Sequence, residues 1–287
     1  MTSDLNFGDC IGCGLCVLGC PAYEETGFDL LTARGRNKAL QAGLAAEDMV
    51  EPIWACTLCG YCDAICPSGV HNVKIVLHLR RELAGDVIAI EPAAGSRALV
   101  LGCTIRERAA HLIPSIEEFL RRIGRPTGPA DAGCCGSLEV EAGRATAARV
   151  RAGVVADPVC LELFDAEFLG LLAMQHLDLF ELKPPFYYYA PHRIVNRDHA
   201  RAYPLYDALR RRSGCDMNVD LNRLARSTSA GSVQGLSGRD ARDIPAAVAR
   251  LLTDSRADRI ITCSPADYLA FRNYSGRETL FITECLR

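Results

Sequence analysis

The sequence predicts an α/β fold in which a helical N-terminal domain precedes two related small α/β halves. Three observations predict it. The first third of the chain carries two cysteine-rich runs and few strand signals. Beyond it, short apolar strands alternate with amphipathic helices, and that plan of strands and helices occurs twice. We therefore expect three units, at residues 1–95, 96–182 and 183–287.

The first unit is expected to be helical between and after its cysteine runs. Apolar periodicity predicts helices over Leu30–Met49 and Val73–Leu83. The segment Glu91–Ser96 combines proline, alanine, glycine and serine, which predicts a linker. The unit should therefore end near residue 95.

The second unit is expected to alternate strands and helices. Ala98–Leu101 predicts a short buried strand, and Ser115–Ile123 predicts an amphipathic helix with Gly124 as its C-cap. Gly153–Val155 predicts another strand, and an apolar helix is expected from Leu161 onward. This alternation favours a small α/β unit.

The third unit repeats the same plan. Phe186–Tyr189 and Ile260–Thr262 predict strands, while Tyr203–Arg212 and Ala266–Arg272 predict helices. Leu280–Ile282 is expected to be the last strand. The recurrence indicates an internal duplication.

Composition narrows the class of protein. The 287 residues carry a net charge of −3, which gives no electrostatic case for binding nucleic acid. Met1–Asp9 lacks the basic start and apolar run of a signal peptide, so we expect the 15 cysteines to be reduced in the cytoplasm. The longest apolar stretch, Leu161–Leu182, contains several charged residues and should not span a bilayer. Any membrane association would then come through a partner.

Two four-cysteine runs, each ending in Cys-Pro, carry the clearest chemistry. Each has the spacing of a bacterial ferredoxin ligand run, in which four thiolates hold a [4Fe–4S] cluster. The cysteine before the proline ligates the other cluster in two-cluster ferredoxins. The first cluster is therefore assigned to Cys10, Cys13, Cys16 and Cys66. The second is assigned to Cys56, Cys59, Cys62 and Cys20. Zinc or disulfides are the less favoured alternative, because zinc does not need this run twice.

Three later segments resemble a known family. They are Leu101–Thr104, Gly133–Gly136 with its adjacent cysteines, and Asp157–Cys160. Together they resemble the cysteine-rich CCG domain of heterodisulfide reductase catalytic subunits and of the glycolate oxidase iron–sulfur subunit. The same domain occurs in anaerobic glycerol-3-phosphate dehydrogenase and lactate-utilisation proteins. Fused members of this family have two ferredoxin runs before two CCG domains, which is the order expected here.

The resemblance implies a third metal site in the second unit. Its cysteine ligands would be Cys103, Cys134, Cys135 and Cys160, enough thiolates for a third iron–sulfur cluster. Asp157 stands where the family has a further cysteine, so it is either an oxygen ligand or a neighbour. Zinc remains the alternative occupant, because ligand softness does not separate it from iron.

The third unit is a degenerate CCG half by the same resemblance. Tyr189–His192, Ser229–Gly231 and Ser264–Asp267 stand at the cysteine positions of the family and contain no thiol. An ordinary cluster is therefore not expected there, and Cys215, Cys263 and Cys285 are interpreted as buried structural thiols. The alternatives left open are a structural role for His192 and Asp267 or the binding of a hard metal or an anion.

These features favour an electron-transferring iron–sulfur subunit of a multisubunit oxidoreductase similar to heterodisulfide reductase. The resemblance implies a flavoprotein or other catalytic subunit as partner, and a quinone, disulfide or carrier protein as acceptor. One alternative is a catalytic thiol–disulfide reductase acting at the CCG cluster. Another is a docking subunit with a structural zinc. Whether the chain is itself an enzyme stays open, and no dinucleotide or Walker glycine motif supports nucleotide or flavin binding by it.

Overall fold

A computed structural model describes residues 5–91, 98–127, 134–230 and 243–287. The helices are α1 Pro21–Thr26, α2 Ala33–Gln41, α3 Val50–Trp54, α4 Tyr61–Ala64, α5 Asn72–Ala84, α6 Cys103–Arg108, α7 Ile113–Arg122, α8 Ser137–Glu141, α9 Leu169–Gln175, α10 His192–Arg197, α11 His199–Ser213, α12 Ile244–Leu252 and α13 Pro265–Tyr274. The strands are β1 Ile88–Ile90, β2 Leu99–Val100, β3 Ala145–Ala147, β4 Val150–Val155, β5 Phe164–Phe168, β6 Tyr187–Tyr189, β7 Asp216–Met217, β8 Arg259–Thr262 and β9 Glu278–Phe281.

The cysteine-rich part is built from short helices and 3₁₀ turns. Its own small core contains Met49, Ile53, Ile75 and Leu79 from α3, α5 and the turn before α3. The predicted helix Val73–Leu83 is confirmed as α5. The predicted helix Leu30–Met49 is wrong as a single element, because α2 ends at Gln41 and Gly43 adopts a left-handed conformation beyond it.

Parallel sheets dominate the remainder of the described chain. One has the strand order β2-β4-β5, and another has the order β7-β6-β8-β9. All these neighbouring strands pair in parallel, which requires crossover connections such as the helices between them. The orders β2-β4-β5 and β6-β8-β9 follow one plan. This supports the predicted duplication, which remains a prediction.

A second predicted element is also wrong. Instead of a continuous helix from Leu161, Cys160–Leu163 is a 3₁₀ turn and Phe164–Phe168 is strand β5, so helix begins only at α9. Phe164 and Phe168 are buried at the ends of the strand, while Asp165 between them is exposed. The alternation of apolar and charged residues in this segment suits a strand, and β5 completes the ladder of β4.

The two sheets share one apolar core. It includes Leu99 and Val154 of the first sheet together with Tyr188, Ile261 and Phe281 of the second. Strand β6 is buried on both faces, since Tyr187 and Tyr189 pack into a second cluster on its other side. Burial on both faces is usual for a parallel sheet covered by helices.

Several contacts join the cysteine-rich part to both sheets. Strand β1 pairs with β3, which lies between β2 and β4 of the first sheet in sequence. The Tyr61 hydroxyl donates to Asp220 at 2.9 Å, and Arg226 forms an ion pair with Glu24. The predicted linker, apart from Glu91, lies outside the described residues. Within the described residues, every helix is too short or too polar to cross a membrane.

Candidate metal centres

The cysteines assigned to the first cluster lie around one cavity, here called the first cavity. Its cysteines are Cys10, Cys13, Cys16 and Cys66. The fourth cysteine of the second run therefore lies beside three cysteines of the first run. The sulfur of Cys66 accepts a hydrogen bond from the Val70 amide at 3.4 Å, and Val70 also lines the cavity.

A second cavity contains the other assigned set. Its cysteines are Cys20, Cys56, Cys59 and Cys62, and Cys16 lines both cavities. The Leu58 amide lies 3.5 Å from the sulfur of Cys56. Each cavity thus contains three cysteines from one run and the fourth cysteine from the other.

The two runs share a loop conformation around their second cysteine. The residue before it and the residue after it both have positive φ: Gly12 (74°) and Gly14 (82°) flank Cys13. Leu58 (54°) and Gly60 (78°) flank Cys59 in the same way. Glycine adopts this conformation freely, whereas leucine does so at a cost. The left-handed turns curve each run around its cavity.

The donor set of each cavity suits an iron–sulfur cluster. Burial raises the pKa of Cys16 and of Cys59 to about 11, so both thiols need a bound cation to become thiolates near neutral pH. Among the described residues, no three His, Cys, Asp or Glu side chains converge as they would around a single ion. A [4Fe–4S] cluster distributes four thiolates over four irons and therefore accommodates a wider spacing.

Four cysteines between residues 103 and 160 also lie near one another, and of these Cys103 follows β2 and Cys160 follows β4. This thiol site comprises Cys103, Cys134, Cys135 and Cys160. The sulfurs of Cys135 and Cys160 lie 3.1 Å apart. Their hydrogen bond lowers the pKa of Cys135 to about 7 and raises that of Cys160. Cys103 is the first residue of α6, and burial, with Cys134, Asp157 and Cys135 nearby, raises the pKa of its thiol.

Asp157 and Gly102 complete the surroundings of the thiol site. Asp157 is buried, its Oδ1 accepts from the Val159 amide at 3.0 Å, and burial raises the pKa of its carboxyl group. Gly102 has φ of 82°, and a Cβ placed there would lie 3.2 Å from the sulfur of Cys160. A side chain at Gly102 would therefore crowd the site. Gly133 lies outside the described residues, as does Gly231 of the third unit.

The corresponding place in the third unit holds a closed polar network. His192 Nδ1 is 2.9 Å from the Tyr189 hydroxyl, and His192 Nε2 is 3.2 Å from Ser227 Oγ. The Asp267 carboxylate accepts from the hydroxyls of Thr228 and Ser264. We call these six residues the polar network: Tyr189, His192, Ser227, Thr228, Ser264 and Asp267. His192 and Asp267 bind other side chains of the chain, which favours their structural role.

The three remaining thiols are buried as expected. They are Cys215, Cys263 and Cys285. The sulfur of Cys263 accepts from the Tyr188 hydroxyl at 3.4 Å, within the shared core. Cys263 is therefore interpreted as a structural thiol of the core.

The sequence did not predict the side chains of α10 that donate hydrogen bonds to the loop around the second cavity. Asn196 of α10 donates to the Cys59 carbonyl at 3.1 Å, and Arg197 donates to the Leu58 carbonyl at 2.8 Å. Arg193 of the same helix forms buried ion pairs with Glu141 and Glu162. These partners lie far apart in sequence, so no local motif indicates them.

Comparison with known proteins supports the prediction of iron–sulfur clusters in the N-terminal part of the chain. Residues 6–70 match the 4Fe-4S dicluster domain family. The C subunit of the ferredoxin/F420H2-dependent CoB–CoM heterodisulfide reductase of Methanosarcina acetivorans is 29% identical over 119 residues, covering 41% of this chain and 68% of that protein. A protein of Archaeoglobus profundus named for its likeness to the same heterodisulfide reductase subunit is 31% identical over 121 residues, covering 42% of this chain and 61% of that protein.

A further relative belongs to a second kind of complex. The probable glycolate oxidase iron–sulfur subunit of Bacillus subtilis is 37% identical over 88 residues, which cover 28% of this chain. The match spans only 18% of the Bacillus protein's own length. The predicted resemblance to heterodisulfide reductase and glycolate oxidase iron–sulfur subunits is confirmed, and residues 6–70 are similar to a 4Fe-4S dicluster domain. The predicted pair of CCG halves remains a prediction.

Proposed function

We propose that this chain is an electron-transferring subunit of a multisubunit oxidoreductase, with two [4Fe–4S] clusters in its N-terminal part. One observation carries the proposal: two neighbouring cavities each contain three cysteines of one run and the fourth of the other. That crossed arrangement is typical of two-cluster ferredoxins. A cluster with full thiolate ligation supplies one-electron chemistry and offers no open coordination position.

The protein's own residues bind and shield such clusters. Tyr61 lines the second cavity and Val70 lines the first, and both are almost fully buried, which limits the access of water. Cys16 lines both cavities, so only a short separation exists between them. Burial and local hydrogen bonds are among the factors that set cluster potentials.

The thiol site is proposed to hold a third iron–sulfur cluster. Cys103, Cys134, Cys135 and Cys160 supply four soft donors, and Asp157 is engaged by the Val159 amide rather than free. Metal counting separates iron from zinc at this site. Three [4Fe–4S] clusters give about twelve irons per chain, whereas two clusters and a structural zinc give about eight irons and one zinc.

The partners are proposed from the relatives. The matched proteins are named as subunits of heterodisulfide reductase and glycolate oxidase. A flavoprotein or other catalytic subunit is therefore the proposed partner at one end of the electron path, with a quinone, disulfide or carrier protein at the other.

The crossed ligation is tested by replacing Cys20. In anaerobically purified Cys20→Ser, we expect loss or spectral change of the cluster held by Cys56, Cys59 and Cys62. The other cluster should keep its electron paramagnetic resonance (EPR) signal. Cys215→Ser, which removes a buried thiol away from the cavities, is the control and should keep both signals.

The Cys20→Ser result also has a clear contrary outcome. A change confined to the cluster of Cys10, Cys13 and Cys16 would show that each run ligates its own cluster. Iron-free but folded wild-type protein would refute the function itself.

A second candidate is a thiol–disulfide reductase acting at the thiol site. It is favoured by the 3.1 Å separation of the Cys135 and Cys160 sulfurs, which places two thiols within reach of one substrate. The test is reduction of a mixed disulfide by the full chain with a low-potential electron donor. Turnover equal to that of Cys134→Ser would remove this candidate.

A further inference from the structure

Two buried arginines flank the second cavity. Arg36 lines that cavity and is 3% exposed, and Arg80 is fully buried. In the described part of the chain, neither guanidinium forms a salt bridge with a carboxylate. Burying an unpaired charge is costly, so each cation needs a source of negative charge nearby.

Backbone carbonyls hold Arg80 against the second cysteine run. Its guanidinium donates to the Cys56 carbonyl at 2.6 Å and to the Ile53 carbonyl at 3.3 Å. It also donates to the Glu141 carbonyl at 2.8 Å and stacks over the Trp54 ring, 4.9 Å from the ring centre. These contacts fix the charge at the start of the run that lines the second cavity.

Backbone carbonyls also hold Arg36, which belongs to α2 between the two cysteine runs. It donates to the Leu31 carbonyl at 2.7 Å and to the Pro52 carbonyl at 3.0 Å. Carbonyl oxygens satisfy its hydrogen bonds but do not neutralise its charge. Two fixed positive charges therefore lie beside one cavity, and they outnumber the single Asp63 carboxylate, which lies 3.8 Å from the Cys62 sulfur. Electrostatic interactions are weakly screened in this buried region.

The first cavity has a different electrostatic environment. Arg34 lines it, but its side chain is 40% exposed and paired with Asp29. Lys38 donates to the Cys10 carbonyl at 2.9 Å from an exposed position and also binds Gln41. Solvent screens both cations, and Asp29 offsets one of them.

We infer that Arg36 and Arg80 act as fixed counter-charges that raise the reduction potential of the second cluster above that of the first. The inference rests on the proposed function, because it requires a cluster in each cavity. A four-thiolate cluster is anionic and gains one negative charge on reduction, so a buried cation stabilises its reduced form. Electrons that enter at either cavity would then reside preferentially at the second.

The test is an EPR-monitored redox titration of anaerobically purified full-length variants. Arg80→Gln and Arg36→Gln retain a hydrogen-bond donor but remove the charge. Each should lower the equilibrium constant for reducing one and the same cluster by about tenfold, which is about 59 mV for one electron. Arg80→Lys, which keeps a charge, should shift that potential less than Arg80→Gln.

Matched controls act at the first cavity. Arg34→Gln and Lys38→Met remove screened cations and should leave the potential of the second cluster unchanged. Equal potentials in wild type and both buried-arginine variants, with iron content preserved, would overturn the inference while leaving the proposed function intact. Equal shifts of both clusters would also overturn it.

If neither glutamine variant retains its iron, a second measurement tests which cluster has the higher reduction potential. Cys56→Ser alters a ligand of the second cluster and Cys13→Ser alters a ligand of the first, so each marks one EPR signal. The inference requires the signal altered by Cys56→Ser to be the one that titrates at higher potential in the wild type. The opposite order would overturn it.

Discussion

The thiol site and the polar network occupy corresponding places on two similar sheets. Cys103 follows the first strand of its sheet as His192 follows β6, and Cys160 follows β4 as Asp267 follows β8. In one place the side chains are sulfur donors, and in the other they are hydroxyl, imidazole and carboxylate groups that bind each other. The same order of strands therefore places a group of thiols at one sheet and a closed hydrogen-bonded core at the other.

The difference shows where each place obtains its stability. Every polar side chain of the polar network has a partner within it, so the network needs no ligand to satisfy its buried groups. The thiol site has one sulfur–sulfur contact and weak amide donors, including Gly136 N–H at 3.4 Å from the Cys134 sulfur. A bound metal would add strong interactions that the protein alone does not supply there.

Metal content should distinguish the two places most strongly. We expect Cys160→Ser to lose the third cluster, about four of about twelve irons per chain, because a serine hydroxyl is a poor substitute for a thiolate. Asp267→Asn should keep all of its iron. Metal analysis of both variants after anaerobic purification is the measurement. Equal iron loss would show that the two places are not functionally distinct, and zinc loss from Cys160→Ser would assign zinc to the thiol site.

A smaller effect is expected when one hydroxyl of the polar network is removed and the free energy of unfolding is measured. Tyr189→Phe removes the hydroxyl that contacts His192 and that accepts from the Thr228 amide at 3.2 Å. Leaving these buried groups unpaired should lower the free energy of unfolding by about 1–3 kcal/mol. Urea unfolding of the anaerobic protein measures this change. Tyr274→Phe, at a half-exposed tyrosine, is the control and should change it by no more than about 0.5 kcal/mol.

Equal stability of Tyr189→Phe and Tyr274→Phe would contradict this prediction. It would show that the Tyr189 hydroxyl is not needed to satisfy the hydrogen bonds of the polar network. The closed character of the network would then be wrong, and His192 would again be open to binding a ligand.

The smallest expected effect is a pH dependence from His192. Burial lowers the pKa of His192 well below its ordinary value of 6.5, so the unfolded chain binds this proton more readily than the folded one. Stability should therefore fall as the pH decreases below about 6.5, and His192→Gln should flatten that part of the curve. Unfolding measured between pH 5 and 7 tests this. Tyr274→Phe, which leaves every histidine in place, should keep the wild-type slope.

The elements with strong local signals were the ones that the sequence predicted well. Val73–Leu83 lies within α5, and the strands over Gly153–Val155 and Ile260–Thr262 lie within β4 and β8. The cysteine spacing also predicted which sulfurs lie together, because the ligand run is a local motif whose chemistry is specific. The assignment of each sulfur to a cluster remains a prediction that the Cys20→Ser experiment tests.

The parts that sequence could not predict depend on tertiary contacts. Asn196 and the Cys59 carbonyl are 137 residues apart, and neither has a composition signal that indicates the contact. Arg80 belongs to an amphipathic helix whose pattern gives no sign of its partners, Cys56 and Glu141. The segment after Leu161 was ambiguous because a short apolar run suits a strand or a helix, and pairing with β4 decided it.

The attachment of the cysteine-rich part to both sheets has a kinetic consequence. Three sets of contacts hold the cavities and the thiol site in one fixed framework. They are the β1–β3 strand pair, the hydrogen bonds of Arg80 to the Cys56 and Glu141 carbonyls, and the hydrogen bond of Asn196 to the Cys59 carbonyl. The distances over which electrons tunnel between bound redox centres would then be constant. No domain movement would be needed to bring the centres together. Electron passage through the chain should consequently be insensitive to solvent viscosity, and any viscosity-dependent step would belong to encounters with other proteins.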